Sequence, residues 1–243
     1  NVGGNSVKAT AQGNAQDNQL QADAASLSAS GNTSNQVTAQ QSASGAIHAG
    51  SRADFLGVQN NALTSNGSQY TVNGNTVAAD ASGNAGTNTA RAGSSDSPIS
   101  SISGASFATS NIQGYAGSGI TASASAGTLG TSALTSSGDR LTVTGNTIDA
   151  TAQGSQAANQ TQLYGAIVSG SAATVGNTQT QAGAVGASAS VDSLGTNASV
   201  ASSNSSQTVN DNTVQASAQG AKANNLASID ASQASSPSVG SGV

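Results

Sequence analysis

One segment, read from Leu141 as LTVTGNTIDATAQGSQAANQTQL, recurs three more times along the chain, and no other feature limits its fold as strongly. The copies run VGGNSVKATAQGNAQDNQL from Val2, YTVNGNTVAADASGNAGTNTA from Tyr70 and QTVNDNTVQASAQGAKANNLA from Gln207. Aligned on the asparagine that closes a Gly-Asn or Asp-Asn step, they place Asn5, Asn75, Asn146 and Asn212 at intervals of 70, 71 and 66 residues. Near-identical segments at so regular a spacing mark a repeat architecture, in which each unit buries its apolar face against the next.

After each of these asparagines, apolar residues alternate with others: Val7, Ala9, Ala11; Val77, Ala79, Ala81; Ile148, Ala150, Ala152; Val214, Ala216, Ala218. Period-two alternation is a strand with one buried face, so these residues are the expected core. Gly13, Gly83, Gly154 and Gly220 close the copies, where a turn with positive φ is expected. Val2, Val72, Val143 and Val209 precede the asparagines, so two short apolar segments flank each Gly/Asn/Asp corner. Asn-Gly between alternating runs is also a hairpin signal. The inward residues are almost all Ala, however, and leave a thin interior that two closely approaching layers fill. Arches stacked along an axis suit such an interior, with Asn5, Asn75, Asn146 and Asn212 superposed in a structural ladder of side-chain amides.

The expected fold is therefore all-β: a parallel β-solenoid, either β-helix or cross-β stack, spanning residues 1–234. The core motif is expected near 2–22, 63–92, 134–163 and 200–230, with 235–243 a flexible tail or fragment boundary after Pro237. With coils of about 20–25 residues, each 66–71-residue period is a higher-order repeat of about three coils. About ten coils at roughly 4.8 Å each then give an axis of roughly 50 Å. Further short strands are expected around Leu27, Val37, Ile47 and Leu56, and a loop or bulge at the SDSPIS segment, Ser95–Ser100, which carries the other Pro.

Only 6% of the residues are charged, and Lys8, Arg52, Arg91, Arg140 and Lys222 stand apart along the chain. No basic cluster exists to grip phosphates, so nucleic acid is not an expected partner. Cys is absent, which rules out disulfides and thiolate metal sites, and His48 is the single histidine. No metal, cofactor or catalytic residue is expected. A triad drawn from His48, Asp54 and one of the many serines carries no information. Asp80 and Asp149 are expected at equivalent outward positions one period apart, where other copies have Lys8 and Gln215 or Thr10 and Ser217, the pattern of a tolerant surface. Phe55, Tyr70, Phe107, Tyr115 and Tyr164 lie outside the alternating runs and read as corner packing, end caps or the cover of a lateral groove. No apolar run approaches the roughly 20 residues needed to span a bilayer, so membrane insertion is not expected. Beginning at Asn1 without Met or a leader segment, the chain reads as a processed or truncated portion of a secreted protein.

At NTVxAxAxGNxAxN, here Asn75 to Asn88 and its copies, the chain resembles the Ala/Asn/Ser-rich strand repeats of bacterial surface fibre proteins: the holdfast anchor proteins of stalked bacteria and, more distantly, the curlin-type functional amyloids. It departs from the curlin Gln-x-Gly-x-Asn spacing, since Gln12-Gly13-Asn14 is compressed and Ser82-Gly83-Asn84 lacks the Gln. The resemblance implies secretion to the bacterial cell surface and a structural fibre subunit of a biofilm or holdfast-type attachment assembly. It also implies partners in copies of the chain joined end to end, other fibre or matrix proteins, and surface polysaccharide. Thr- and Ala-rich faces raise an alternative, an ice-binding or ligand-binding adhesin module. Stacked Thr-x-Thr pairs would support it, and only scattered cases occur, such as Thr142 with Thr144 and Thr178 with Thr180.

Overall fold

The computed structural model describes residues 1–29, 34–58, 67–131, 138–196 and 204–242, and all regular structure among them is β. The first rung holds β1 (Val2–Gly3), β2 (Ser6–Gln12), β3 (Ala15–Ala22), β4 (Ser26–Ser28), β5 (Ser34–Ala43) and β6 (Ile47–Val58). The second holds β7 (Gln69–Asn73), β8 (Thr76–Ser82), β9 (Ala85–Ala92), β10 (Ile99–Ser103), β11 (Ser106–Tyr115) and β12 (Gly119–Thr131). The third holds β13 (Arg140–Thr144), β14 (Thr147–Gln153), β15 (Gln156–Ser169), β16 (Ala172–Gln181) and β17 (Ala184–Thr196). The fourth holds β18 (Ser206–Asn210), β19 (Thr213–Gln219), β20 (Lys222–Ser235) and β21 (Ser238–Gly242).

Every pairing is parallel, between a strand and its counterpart one rung away. Five sheets result: A (β1-β7-β13-β18), B (β2-β8-β14-β19), C (β3 and β4, β9 and β10, β15, β20), D (β5-β11-β16-β21) and E (β6-β12-β17). Val2 pairs with Val72, Val72 with Val143 and Val143 with Val209. The separations between these partners are the intervals between the sequence copies. The parallel β-solenoid class is thus the observed one, but its coil is different from the one expected. One 66–71-residue period is a single rung, not three coils, and the described residues make four rungs rather than about ten. At ~4.8 Å per ladder step, first and fourth rungs lie ~14 Å apart. The physical reason lies in the shape of the rung. It is a flat two-layer slab whose thickness is set by the small inward residues and whose length is not constrained by them, so the chain runs out along A, B and C and returns along D and E.

Two apolar clusters fill the slab. At one end, Val72, Val77, Ala79, Val143, Ile148, Ala150 and Ala152 of sheets A and B pack against Ile47, Ile120, Ala122, Ala124 and Leu129 of sheet E. At the other, Ala90, Ile99, Ile102, Leu163 and Val168 of sheet C pack against Val37, Phe107 and Ala173 of sheet D. Leu20, Ala90, Thr161 and Ala227, all thirteen residues past the first core position of their copies, form one column of sheet C.

Two further expectations are resolved by the register. Ile47 and Leu56 lie on one strand, β6, whereas Leu27 and Val37 lie on separate strands, β4 and β5. Around SDSPIS, residues 93–98 leave the sheet where the third rung needs only Tyr164, because Ala92 pairs with Leu163 and Ile99 with Gly165. That excursion accounts for the second rung being five residues longer than the third. The expected tail is in part a strand: Ser238–Gly242 is β21 and pairs with β16 beyond a corner at Pro237. Residues 63–66, 134–137 and 200–203 of the expected copies lie outside the described residues.

Candidate functional site

The corner between sheets A and B carries Asn5, Asn75, Asn146 and Asn212. The residue before each, Gly4, Gly74, Gly145 and Asp211, has φ of 71°, 62°, 64° and 54°, so the positive-φ turn expected at the closing glycines is made at this corner instead. It interrupts the backbone ladder, and the Asn side chain replaces the lost bonds. Asn5 Nδ2 donates to Asn75 Oδ1 (2.9 Å), Asn75 Nδ2 to Asn146 Oδ1 (2.9 Å) and Asn146 Nδ2 to Asn212 Oδ1 (2.7 Å). Each acceptor also takes the backbone N–H of the asparagine one rung below, at 3.1, 3.0 and 3.1 Å. Asn75 and Asn146 are buried, and an amide there needs all these partners.

A second ladder, not read from the sequence, runs through the slab interior. Asn18 Nδ2 donates to Asn88 Oδ1, Asn88 Nδ2 to Asn159 Oδ1 and Asn159 Nδ2 to Asn225 Oδ1, at 2.9, 3.0 and 2.9 Å. Asn88 and Asn159 also donate across the slab to the carbonyls of Ser110 and Gly176 on sheet D. Its signal was present, since each of these residues lies thirteen past its corner asparagine. From sheet D, Gln113 Nε2 donates to Gln41 Oε1 and Gln179 Nε2 to Gln113 Oε1, both at 2.7 Å. A seam of stacked amides therefore separates the two apolar clusters, as in amide-rich cross-β stacks.

The closing glycines do something other than expected. Gly13, Gly83, Gly154 and Gly220 are absent from the positive-φ residues. A Cβ at Gly83 would instead lie 3.0 Å from Ile120 Cδ1 and 3.1 Å from the backbone of Gly154 and Ser155, and one at Gly154 2.7 Å from Gly220 C. Close approach of the next rung, not chain reversal, excludes a side chain at these two positions. The core residues divide by rung. Val77, Ile148 and Ala150 are fully buried, whereas Val7 and Val214 are 38% and 47% exposed and Ala216 is exposed too. The second group lies in the first and fourth rungs, which have a neighbour on one side only.

Asp80 and Asp149 are not equivalent: Asp80 pairs with Thr10 and Thr151, Asp149 with Ala78 and Gln215. Asp80 meets Lys8 at 2.9 Å across adjacent rungs. His48 is exposed and hydrogen-bonded to Thr121 Oγ1, and Asp54 pairs with Arg52. The hydrogen bond from Arg52 to Asp54, followed by their Coulomb attraction, raises the guanidinium above its ordinary value. Phe107 and Tyr115 are fully buried, and Tyr115 Oη donates to the Gly45 and Gly119 carbonyls at the corner between D and E. Arg91 lies 4.9 Å over the Tyr164 ring. Among the described residues no three His, Cys, Asp or Glu side chains gather where a metal would sit. The chain matches no family model, no curated protein and no solved structure. Among the described residues no helix is long and apolar enough to cross a membrane.

The two ends of the stack differ from its middle rungs. Among the described residues, β1 to β6 have a paired edge on the second-rung side only, and β17 to β21 on the inner side only.

Proposed function

We propose that this chain is a structural subunit of an extracellular bacterial fibre or surface-attachment assembly and that it polymerises through stacked β-strands. The observation that carries the reading is the pair of open ends. A strand edge presents a row of unpaired N–H and C=O groups, a template for another chain unless Pro, charge or a covering element blunts it. Pro98 lies in the 93–98 excursion and Pro237 at a corner, so neither interrupts a strand edge. The charged side chains of the edge strands are Lys8 in sheet B, Asp17, Lys222 and Asp230 in sheet C and Arg52, Asp54 and Asp192 in sheet E, of both signs and widely spaced. Val7, Val214 and Val239 are half-exposed although the columns they belong to are fully buried in the middle rungs at Val77, Ile148, Phe107 and Ala173. A further rung at either end covers such residues and pairs the edges, and the contact does not close on itself, which yields filaments.

The resemblance to surface fibre proteins supplies the secreted, attachment-related setting, and the small share of charged residues suits a chain whose energy lies in ladders. Electron microscopy and light scattering of the purified chain at rising concentration test the reading. Unbranched filaments of variable length are expected. A monodisperse 23.0 kDa monomer at all concentrations overturns it.

A further inference from the structure

Resting on that assembly reading, we propose that copies join with the fourth rung of one against the first rung of the next, in parallel and in register, so that Asn212 of one copy donates to Asn5 of the following copy. The partner surface is thus a second copy of this chain, met through sheets A to D.

The match between the two ends is already built inside the molecule. β19 pairs with β14, β14 with β8 and β8 with β2, residue for residue, so β2 offers β19 the register and the inward Val/Ile-Ala-Ala positions that β14 and β8 offer each other. The ladder also has a direction. Asn5, Asn75 and Asn146 each donate from Nδ2 and from the backbone N–H to the Oδ1 of the asparagine one rung later. Asn212 Nδ2 holds the carbonyls of Val143 and Asn210, the counterparts of the Val72 and Thr144 carbonyls held by Asn146. It is therefore oriented as Asn146 is, whose two Nδ2 hydrogens are shared among the Val72 and Thr144 carbonyls and Asn212 Oδ1. At the opposite end, among the described residues, Asn5 Oδ1 accepts no hydrogen bond. Head-to-tail contact pairs donor with acceptor, whereas contact between two like ends sets acceptor against acceptor or donor against donor.

Charge points the same way. Lys8 stacks on Ala78 and reaches Asp80, two positions further along the next rung. Lys222 of the fourth rung shares its column with Gln156, Ala85 and Ala15, and two positions beyond Ala15 stands Asp17. Both side chains are exposed. In the proposed register Lys222 meets Asp17 of the next copy along the diagonal that Lys8 and Asp80 use internally, and complementary charge of this kind selects register. One contact opposes it. Asp230 follows Ile229, whose column ends at Ala22, so Asp230 faces Asp23 of the next copy.

The chain holds no Cys, so a cysteine pair reads the register without background. Ser6 and Thr213 share one outward column of sheet B and are exposed. Within a copy they are three ladder steps apart, ~14 Å, but across the joint they are one step of ~4.8 Å apart, inside the roughly 4.4–6.8 Å Cα separation a disulfide spans. Oxidation of assembled protein carrying Ser6→Cys and Thr213→Cys together is expected to give a ladder of covalent multimers on non-reducing gels, with each single variant remaining monomeric. Dimers from a single variant, or assembled double variant without a ladder, overturn the register and leave the fibre reading standing. Wild-type chain that does not assemble overturns both. Should the cysteine variants themselves fail to assemble, charge reversal decides. Lys222→Asp is expected to slow elongation severalfold, and adding Asp17→Lys to restore it, while Asp230→Asn speeds it. Slowing that Asp17→Lys does not relieve contradicts the proposal.

Discussion

Asn75 Nδ2 donates to Asn146 Oδ1 at 2.9 Å across 71 residues of chain, and both side chains are buried. This bond ties one complete rung to the next at the corner where the backbone ladder is broken. The same geometry holds at Asn5 on 75 and Asn146 on 212, so the corner acts as a column and not as three separate contacts.

Asn146→Ala therefore takes the acceptor from the buried Asn75 backbone N–H and from one of its two Nδ2 hydrogens, and the side-chain donor from the Val72 carbonyl. Each unsatisfied buried group costs about 1–3 kcal/mol, whereas Asn5→Ala at the exposed end of the column is expected to cost under about 1 kcal/mol. Urea unfolding of the two variants checks the difference. Equal midpoints show that the column does not stabilise the stack.

Gly83→Ala drives a Cβ against Ile120 and the backbone of the third rung, and overpacking of this kind costs about 1–3 kcal/mol. Gly50→Ala, where nothing lies within 4 Å of the added Cβ, is expected to be neutral or to stabilise by up to about 1 kcal/mol. Thermal melts of both variants separate close approach from turn conformation as the reason for glycine.

Ala150→Leu is expected to cost about 1–3 kcal/mol and Thr151→Leu no more than about 0.5. The contrast follows from opposite faces of β14. Ala216→Leu, on the exposed fourth rung, should be tolerated in the monomer although Ala216 occupies the same column as Ala150. A cost at Ala216 equal to that at Ala150 contradicts the rung assignment.

Replacing residues 93–98 by a single Gly gives the second rung the length of the third, which crosses the same point with Tyr164 alone. Stability is expected to change by less than about 1 kcal/mol, since closing a shorter loop gains a little entropy and the sheet pairing is unchanged. Loss of cooperative unfolding shows that the excursion is part of the fold.

Much of this architecture is legible in the letters. The column Val77, Ile148, Val214 and the ladder positions follow from repeat and alternation alone. Rung length does not, because a strand alternates with period two whether the chain turns back after 20 residues or 70. Sheets D and E conceal it further: Phe107 stacks on Ala173 and Gln113 on Gln179 by shape and amide pairing, and the first of these pairs shares no letters. Gly83 was legible as a required glycine but not for its reason, since a residue code does not distinguish positive φ from contact with a rung 71 residues away. Val7 and Val214 carry core chemistry, and their exposure is a property of the stack and its ends.

Mass per unit length of the filaments, measured by dark-field electron microscopy, tests rung size and end-to-end stacking together. Four rungs at ~4.8 Å advance ~19 Å per copy, so a 23.0 kDa chain predicts about 1.2 kDa per Å. A value near 0.5 kDa per Å, that of about ten short coils per copy, contradicts the one-period rung, and a chain that forms no filaments contradicts the stacking.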